Sequence, residues 1–123
     1  MTLVLALTAC ASAAPPPPQS DLELLAQVGL LLADAPDRYR CLGFAYPEAR
    51  SRAAEALGQD FPARLRALTT ALEQRHGHEA VAEAMTIIPV GYRVTAKRCR
   101  TVRYHVRDAR AALQQLERRV GIH

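Results

Sequence analysis

The stretch that decides the fold is CRTVRYHVRDARAALQQLERRV, residues 99–120. Its apolar residues recur with spacings of three and four, the repeat of one face of a packed α-helix. Gly121 follows at the position where helices favour a glycine cap. The pattern predicts one helix whose apolar seam faces the core of a domain, with a coiled-coil dimer as the alternative. The seam consists of Cys99, Val102, Val106, Ala109, Leu113, Leu116 and Val120.

The preceding residues predict shorter helices. Ser20 and Glu23 form a capping box at the start of a first helix, which Pro36 is expected to end. Residues 86–92 are apolar and predict an extended connector before the last helix. Further helices are expected over about 37–42, 47–57, 61–76 and 78–85, with Gly58 and Gly77 as stops and Asp60 as an N-cap. The fold class is therefore all-α, a single small helical bundle of about five or six helices over residues 20–123.

Composition supports this fold class. The 123 residues are enough for one domain. Half of them are apolar, but only 5% are aromatic and tryptophan is absent. The apolar residues are mainly Ala, Leu and Val, which favours the packing of helices over a β-sandwich.

The N-terminal residues predict export. Residues 2–9 are apolar and uncharged, with the length of a signal peptide rather than of a membrane span. Residues 7–10, Leu-Thr-Ala-Cys, resemble the lipobox of bacterial lipoproteins, in which the cysteine, here Cys10, is lipidated. Residues 11–13, Ala-Ser-Ala, also fit an ordinary signal-peptidase site, which would remove Cys10. Residues 1–13 are thus a signal peptide or lipoprotein signal, although the segment lacks the usual Lys or Arg after Met1.

Residues 14–19 form a proline-rich spacer between this signal and the domain. Runs of proline are stiff and solvated, so they suit a tether. The expected location is the periplasm or the outer membrane for a lipoprotein, and otherwise the secreted fraction. Any membrane contact is expected only through a lipid anchor on Cys10.

Two cysteines, Cys41 and Cys99, fall within the predicted domain. Export places them in an oxidising compartment, where such a pair is a candidate disulfide. The alternative is two separate buried thiols.

Charge is distributed unevenly. Residues 21–92 hold ten acidic and seven basic residues, whereas residues 93–123 hold two acidic and nine basic residues. One interpretation is a solvated flank whose arginines cover the apolar seam and pair with the acidic helices. The other is recognition of an anion: a lipid headgroup, an anionic envelope polymer or an acidic protein. Export and the scarcity of aromatic residues disfavour nucleic acid. The candidate residues are Arg93, Lys97, Arg100, Arg103, Arg107 and Arg110.

No pattern predicts catalysis, a metal or a cofactor. His76 and His78 flank a helix stop and lack a second ligand pair at zinc spacing. Ser20 and Ser51, the only serines of the predicted domain, lie outside any nucleophile motif. The sequence therefore favours a non-enzymatic exported protein that binds a partner or an anion through its basic C-terminal helix. A small periplasmic enzyme or metal-binding protein is one alternative, and a structural tether is another.

Overall fold

The computed structural model of the protein describes residues 19–86 and 95–122. Within these ranges all regular secondary structure is helical, so the prediction of a small all-α bundle is confirmed. The predicted signal over residues 1–13 lies outside the described residues, as do residues 14–18 of the spacer and residues 87–92 of the connector. The helices in the described ranges are α1 (Asp21–Arg40), α2 (Tyr46–Leu57), α3 (Phe61–His76), α4 (His78–Ala84), α5 (Ala96–Val102) and α6 (His105–Val120).

The bundle is built on the pairing of α1 with α6, its most extensive helix contact. The two helices run antiparallel. Arg119, late in α6, donates a hydrogen bond of 2.6 Å to the carbonyl of Gln19 just before α1. Val106, early in α6, packs instead near Ala35, late in α1. The prediction that the seam faces the core is confirmed, because four of its residues have no exposed surface: Val102, Ala109, Leu113 and Leu116.

Two apolar clusters fill the interior. The smaller cluster is formed by Ala35, Ala53 and Val106, where α1, α2 and α6 meet. Leu57 at the end of α2 packs against both clusters and so connects them. The larger cluster lies around the first half of α1 and the second half of α6, and consists of Leu24, Leu25, Val28, Phe61, Leu68, Leu72, Val81, Ala112, Leu113 and Leu116.

The prediction that Pro36 ends the first helix is wrong. The helix α1 continues through Pro36 to Arg40, and the separate helix expected over residues 37–42 is the last turn of α1 and the turn after it. A proline inside a helix removes one backbone hydrogen bond and crowds the preceding turn. Tertiary contacts offset this cost, because Ala35, Pro36 and Asp37 are all buried against the neighbouring helices.

The prediction of one continuous C-terminal helix is also wrong. The helix breaks at a turn over Arg103 and Tyr104, which separates α5 from α6. Near the break, the Thr101 hydroxyl donates to the carbonyl of Arg98 at 2.8 Å, a local bond of the kind that competes with the helical ladder. Beyond it, α6 packs along α1, whereas α5 is held at the C-terminal end of α1.

Apart from the one at Pro36, the predicted helix ends agree with the structure. The Ser20 hydroxyl accepts a hydrogen bond of 3.1 Å from the amide of Glu23. Gly58 and Gly77 end α2 and α3. Gly121 ends α6 in the left-handed conformation, with a φ of 80°, which a glycine adopts without steric cost. Asp60 stands at the N-cap of α3, but no capping hydrogen bond forms from its side chain.

Cys41 and Cys99 lie at disulfide distance, with their sulfurs in bonding position and their Cα atoms 5.7 Å apart. Cα atoms within about 7 Å are required for a disulfide, so the predicted pair satisfies this condition. The bridge joins the end of α1 to α5 across 58 positions of sequence.

Replacing both cysteines, as Cys41→Ala with Cys99→Ala, is expected to lower the free energy of unfolding by about 4 kcal/mol. The reason is that opening a loop of this length returns conformational entropy to the unfolded chain. Urea unfolding of the parent and the double variant measures the difference. A reductant should bring the parent to the stability of the variant and leave the variant unchanged. Two alkylatable thiols in the unreduced parent would contradict the bridge.

Candidate anion-binding surface

The helix α5 is fixed to the end of α1 by a charged network beside the disulfide. The Arg98 guanidinium lies 2.9 Å from the carboxylate of Asp34 and 3.4 Å from that of Asp37. Asp37 also accepts from Arg40 at 3.1 Å. Only 6% of the Asp37 surface is exposed, and a carboxylate this buried needs such partners. Together with Cys99, these contacts set where the basic residues of α5 stand.

The predicted binding residues lie on both sides of the helix break. Lys97, Arg100 and Arg103 belong to α5 and its C-cap and are exposed, as are Arg107 and Arg110 on α6. The predicted basic C-terminal helix is therefore corrected to two helices, each with its own basic residues, that meet at a turn. Arg93 lies outside the described residues.

Two of these arginines share one aromatic ring. The guanidinium carbons of Arg103 and Arg107 lie 4.6 Å and 4.4 Å from the centre of the Tyr104 ring. Arg107 also contacts the carboxylate of its neighbour Asp108 at 3.3 Å. Cation–π contacts restrict where long arginine side chains point, at a gain of about 0.5–1 kcal/mol each when exposed. The ring thus gathers two positive charges at the turn between α5 and α6.

A second group of arginines, not predicted from the sequence as part of the site, lies at the corner between α1 and α2. Arg40 and Arg50 both approach the Tyr46 ring, each 5.9 Å from its centre. Arg52 lies 4.0 Å from the centre of the Phe44 ring. The sequence signal is the run RYRCLGFAYPEARSR, residues 38–52, in which arginines stand on both sides of the aromatic residues.

The disulfide joins the two segments of the chain that carry these groups. We use the name basic surface for eight exposed or half-exposed cations at the α1–α2 corner, on α5 and its C-cap, and in the first half of α6. Residues 34–57 and 95–110 hold ten basic and five acidic residues, whereas the remaining described residues hold five basic and seven acidic ones. Positive charge is therefore concentrated in the half of the bundle that contains the bridge. The basic surface consists of Arg38, Arg40, Arg50, Lys97, Arg100, Arg103, Arg107 and Arg110.

His105 lies behind this surface, where α6 begins. Its Nδ1 atom is buried and has no hydrogen-bond partner among the described residues. Burial lowers the pKa of His105 below the ordinary value of 6.5. The nearby carboxylate of Asp34 raises the pKa, and the Arg98 guanidinium lowers it. Desolvation is the largest of these influences, so the folded protein favours the neutral ring.

Other polar groups form ordinary pairs. His76 lies 3.4 Å from Asp21, and His78 lies 3.4 Å from Glu73. Over residues 19–86 and 95–122, no group of three or more His, Cys, Asp or Glu side chains is arranged to hold a metal ion. None of the helices in the part of the chain described is long and apolar enough to cross a membrane.

A shallow groove of about 600 Å³ runs between α3 and α6. Arg64 reaches across it and donates to both carboxylate oxygens of Glu117, with its Nε atom 3.0 Å from Oε2. The pair satisfies a carboxylate that is largely buried. The groove lies in the less basic half of the bundle, away from the disulfide.

Acid is expected to destabilise the fold through His105. Because its pKa is lower in the folded state than in the unfolded chain, the unfolded chain binds the proton more readily below pH 6.5. The contribution of His105 to the free energy of unfolding is therefore complete above pH 6.5, and it falls as the pH decreases toward the pKa of the folded state. Urea unfolding between pH 7.5 and 5, in a series of buffers, is expected to show a smaller acid loss for His105→Gln than for the parent. The control His78→Gln, at a side chain that is 80% exposed, should keep the parental slope.

Comparisons with protein families, with curated proteins and with solved structures found no match to this chain.

Proposed function

We propose that this chain is an exported, non-enzymatic protein of the bacterial envelope whose basic surface binds an anionic partner. The observation that carries the proposal is the exposure of Lys97, Arg100 and Arg110. In the described part of the chain, no carboxylate lies within ion-pair distance of these three side chains, whereas Arg98 and Arg119 make ion pairs with Asp34, Asp37 and Asp21. The acidic residues of the fold thus pair with some cations and leave this group available to solvent.

The arrangement suits an anion rather than a single small ligand. The exposed cations are spread over two helices and a corner. The positive electrostatic potential of these cations raises the local concentration of anions and speeds their association. Arginine, which supplies most of the charge, pairs well with planar carboxylates and with phosphates. Phosphate- or carboxylate-bearing envelope components therefore fit the surface by charge and by hydrogen bonding.

Export is supported by the apolar run, by the two cleavage patterns up to residue 13 and by the cysteine pair at disulfide distance. We expect fractionation to find the domain in the envelope without Met1, and Cys10→Ser to abolish lipid labelling of the lipidated form. An intact chain in the cytosol would contradict export. Cleavage near Ala13 would mean that an ordinary signal peptidase removes Cys10, and would contradict lipidation.

Charge reversal tests the binding surface. The double variant Arg100→Glu with Arg103→Glu is expected to bind inorganic polyphosphate at least about tenfold more weakly than the parent, with little change in thermal stability. Each basic residue near an anionic surface contributes about 1 kcal/mol, and 1.4 kcal/mol corresponds to tenfold in affinity. Binding should also weaken as salt rises, because the Debye length is about 10 Å at 0.1 M.

The matched control is Arg66→Glu with Arg118→Glu, which makes the same change in net charge at two exposed arginines of the other half of the bundle. This control should bind polyphosphate more tightly than the first variant. Equal affinities of the two double variants would mean that only net charge matters, and would contradict a defined binding surface.

A further inference from the structure

Exposed apolar side chains stand within the basic surface. Leu42 is 68% exposed, Tyr46 is 53% exposed and Tyr104 is 41% exposed. The remaining large apolar side chain with comparable exposure in the described residues is Leu30, at 56%, midway along α1. Leu42, the most exposed of the four, occupies the turn directly after Cys41.

The disulfide brings Leu42 close to the cations of α5. The Cα atoms of Cys41 and Cys99 are 5.7 Å apart, and Leu42 and Arg100 are the next residues along the chain. Because neighbouring Cα atoms are 3.8 Å apart, those of Leu42 and Arg100 lie within about 13 Å of each other. An apolar side chain and a row of cations therefore share one end of the molecule.

The rings at this end are surrounded by guanidinium groups. Tyr46 lies between Arg40 and Arg50, and Tyr104 contacts Arg103 and Arg107. A protein–protein interface requires a well-packed centre with about 1,000 Å² or more of buried surface. Here each of the two tyrosine rings has two guanidinium groups beside it. A leucine, two tyrosines and many cations are instead the composition that binds the headgroup region of an anionic bilayer.

We infer that the basic surface docks on an anionic lipid bilayer, with Leu42 entering the acyl boundary and Tyr46 and Tyr104 at the level of the headgroups. This inference rests on the proposed function and names its partner. It also goes beyond the expectation that a lipid on Cys10 is the sole membrane contact. The cations supply attraction to the headgroups, and burial of Leu42 adds the apolar contribution that a soluble polyanion would not provide.

The absence of tryptophan from the chain allows a direct test. Leu42→Trp introduces one fluorescent reporter at the exposed turn, and Cys10→Ser in the same full-length chain prevents lipidation. Vesicles of phosphatidylglycerol and phosphatidylcholine are expected to shift its emission to the blue, because the indole ring leaves water. Vesicles of phosphatidylcholine alone are expected to cause no shift. Adding Arg100→Glu and Arg103→Glu should abolish the shift with anionic vesicles.

The matched control is Leu30→Trp in the same background. Leu30 is similarly exposed, but it lies 12 positions before Leu42, in the middle of α1. Residues 2–9 are apolar and can associate with vesicles independently, so the comparison of reporters isolates contact made by Leu42. No shift for Leu42→Trp, or equal shifts for the two reporters, would overturn the inference.

Polyphosphate binding separates this inference from the proposed function. If charge reversal weakens polyphosphate binding and Leu42→Trp shows no shift with anionic vesicles, the docking on a bilayer is wrong and a soluble polyanion or an acidic protein takes its place. If charge reversal changes neither measurement, both proposals are wrong. A blue shift without vesicles that grows with protein concentration would assign the surface to a second copy of the chain and would also overturn bilayer docking.

Discussion

The attachment of α5 to the last turn of α1 determines how the basic half of this protein is assembled. A helix of seven residues is not stable alone, because nucleation costs more than so few hydrogen bonds return. Here α5 is held by the Cys41–Cys99 bridge, by the ion pairs of Arg98 and by the burial of Val102. The bridge and the ion pairs are made to a part of the chain that is distant in sequence. They bring two basic segments to the same half of the bundle.

The carboxylates show which arginines take part in ion pairs within the fold and which face solvent. Asp37 is nearly buried and is satisfied by Arg40 and Arg98, and Asp21 accepts from Arg119 where the ends of α1 and α6 meet. These pairs fix helix ends against each other. A charge left alone at such buried positions would be costly, so the arginines there are structural. Within the described residues, Lys97, Arg100 and Arg110 make no such pair, which supports their place in the proposed binding surface, whereas Arg40 belongs to that surface and also pairs with Asp37.

The sequence correctly predicted the features that depend on helical periodicity and on the residue types at helix ends. The seam from Val102 to Leu116 is buried, and Ser20 and Gly121 cap helices as their residue types suggest. Predictions from the sequence were wrong where tertiary contacts override local conformational preference. Pro36 is tolerated because its neighbours are buried. The seam is interrupted after Val102 although its spacing is continuous, because the bridge and the ion pairs hold α5 at the end of α1.

The candidate surface was predicted only in part, for a related reason. The basic residues of the last helical region could be read from charge alone. Those around Tyr46 could not be joined to them, because the connection depends on which residues Cys99 brings near the corner after α1. The sequence also placed Arg100 to Arg110 on one continuous helix. The turn at Tyr104 divides that helix into two and gathers Arg103 and Arg107 at one ring.

The opposite ends of α1 have different neighbours, and this separation bears on the proposal that Cys10 carries a lipid anchor. The spacer joins the domain at Gln19, whereas Leu42 lies beyond the other end of a helix of 20 residues, about 30 Å away. The nine residues from Ala11 to Gln19 reach at most about 32 Å when extended. A domain anchored at Cys10 is thus able to lie along the membrane and touch it with its far end. With a lipid anchor at Cys10 as the first contact, docking of the basic surface would be a second, intramolecular contact. The effective concentration of the surface near the membrane, rather than its intrinsic affinity, would then determine how often the far end is bound.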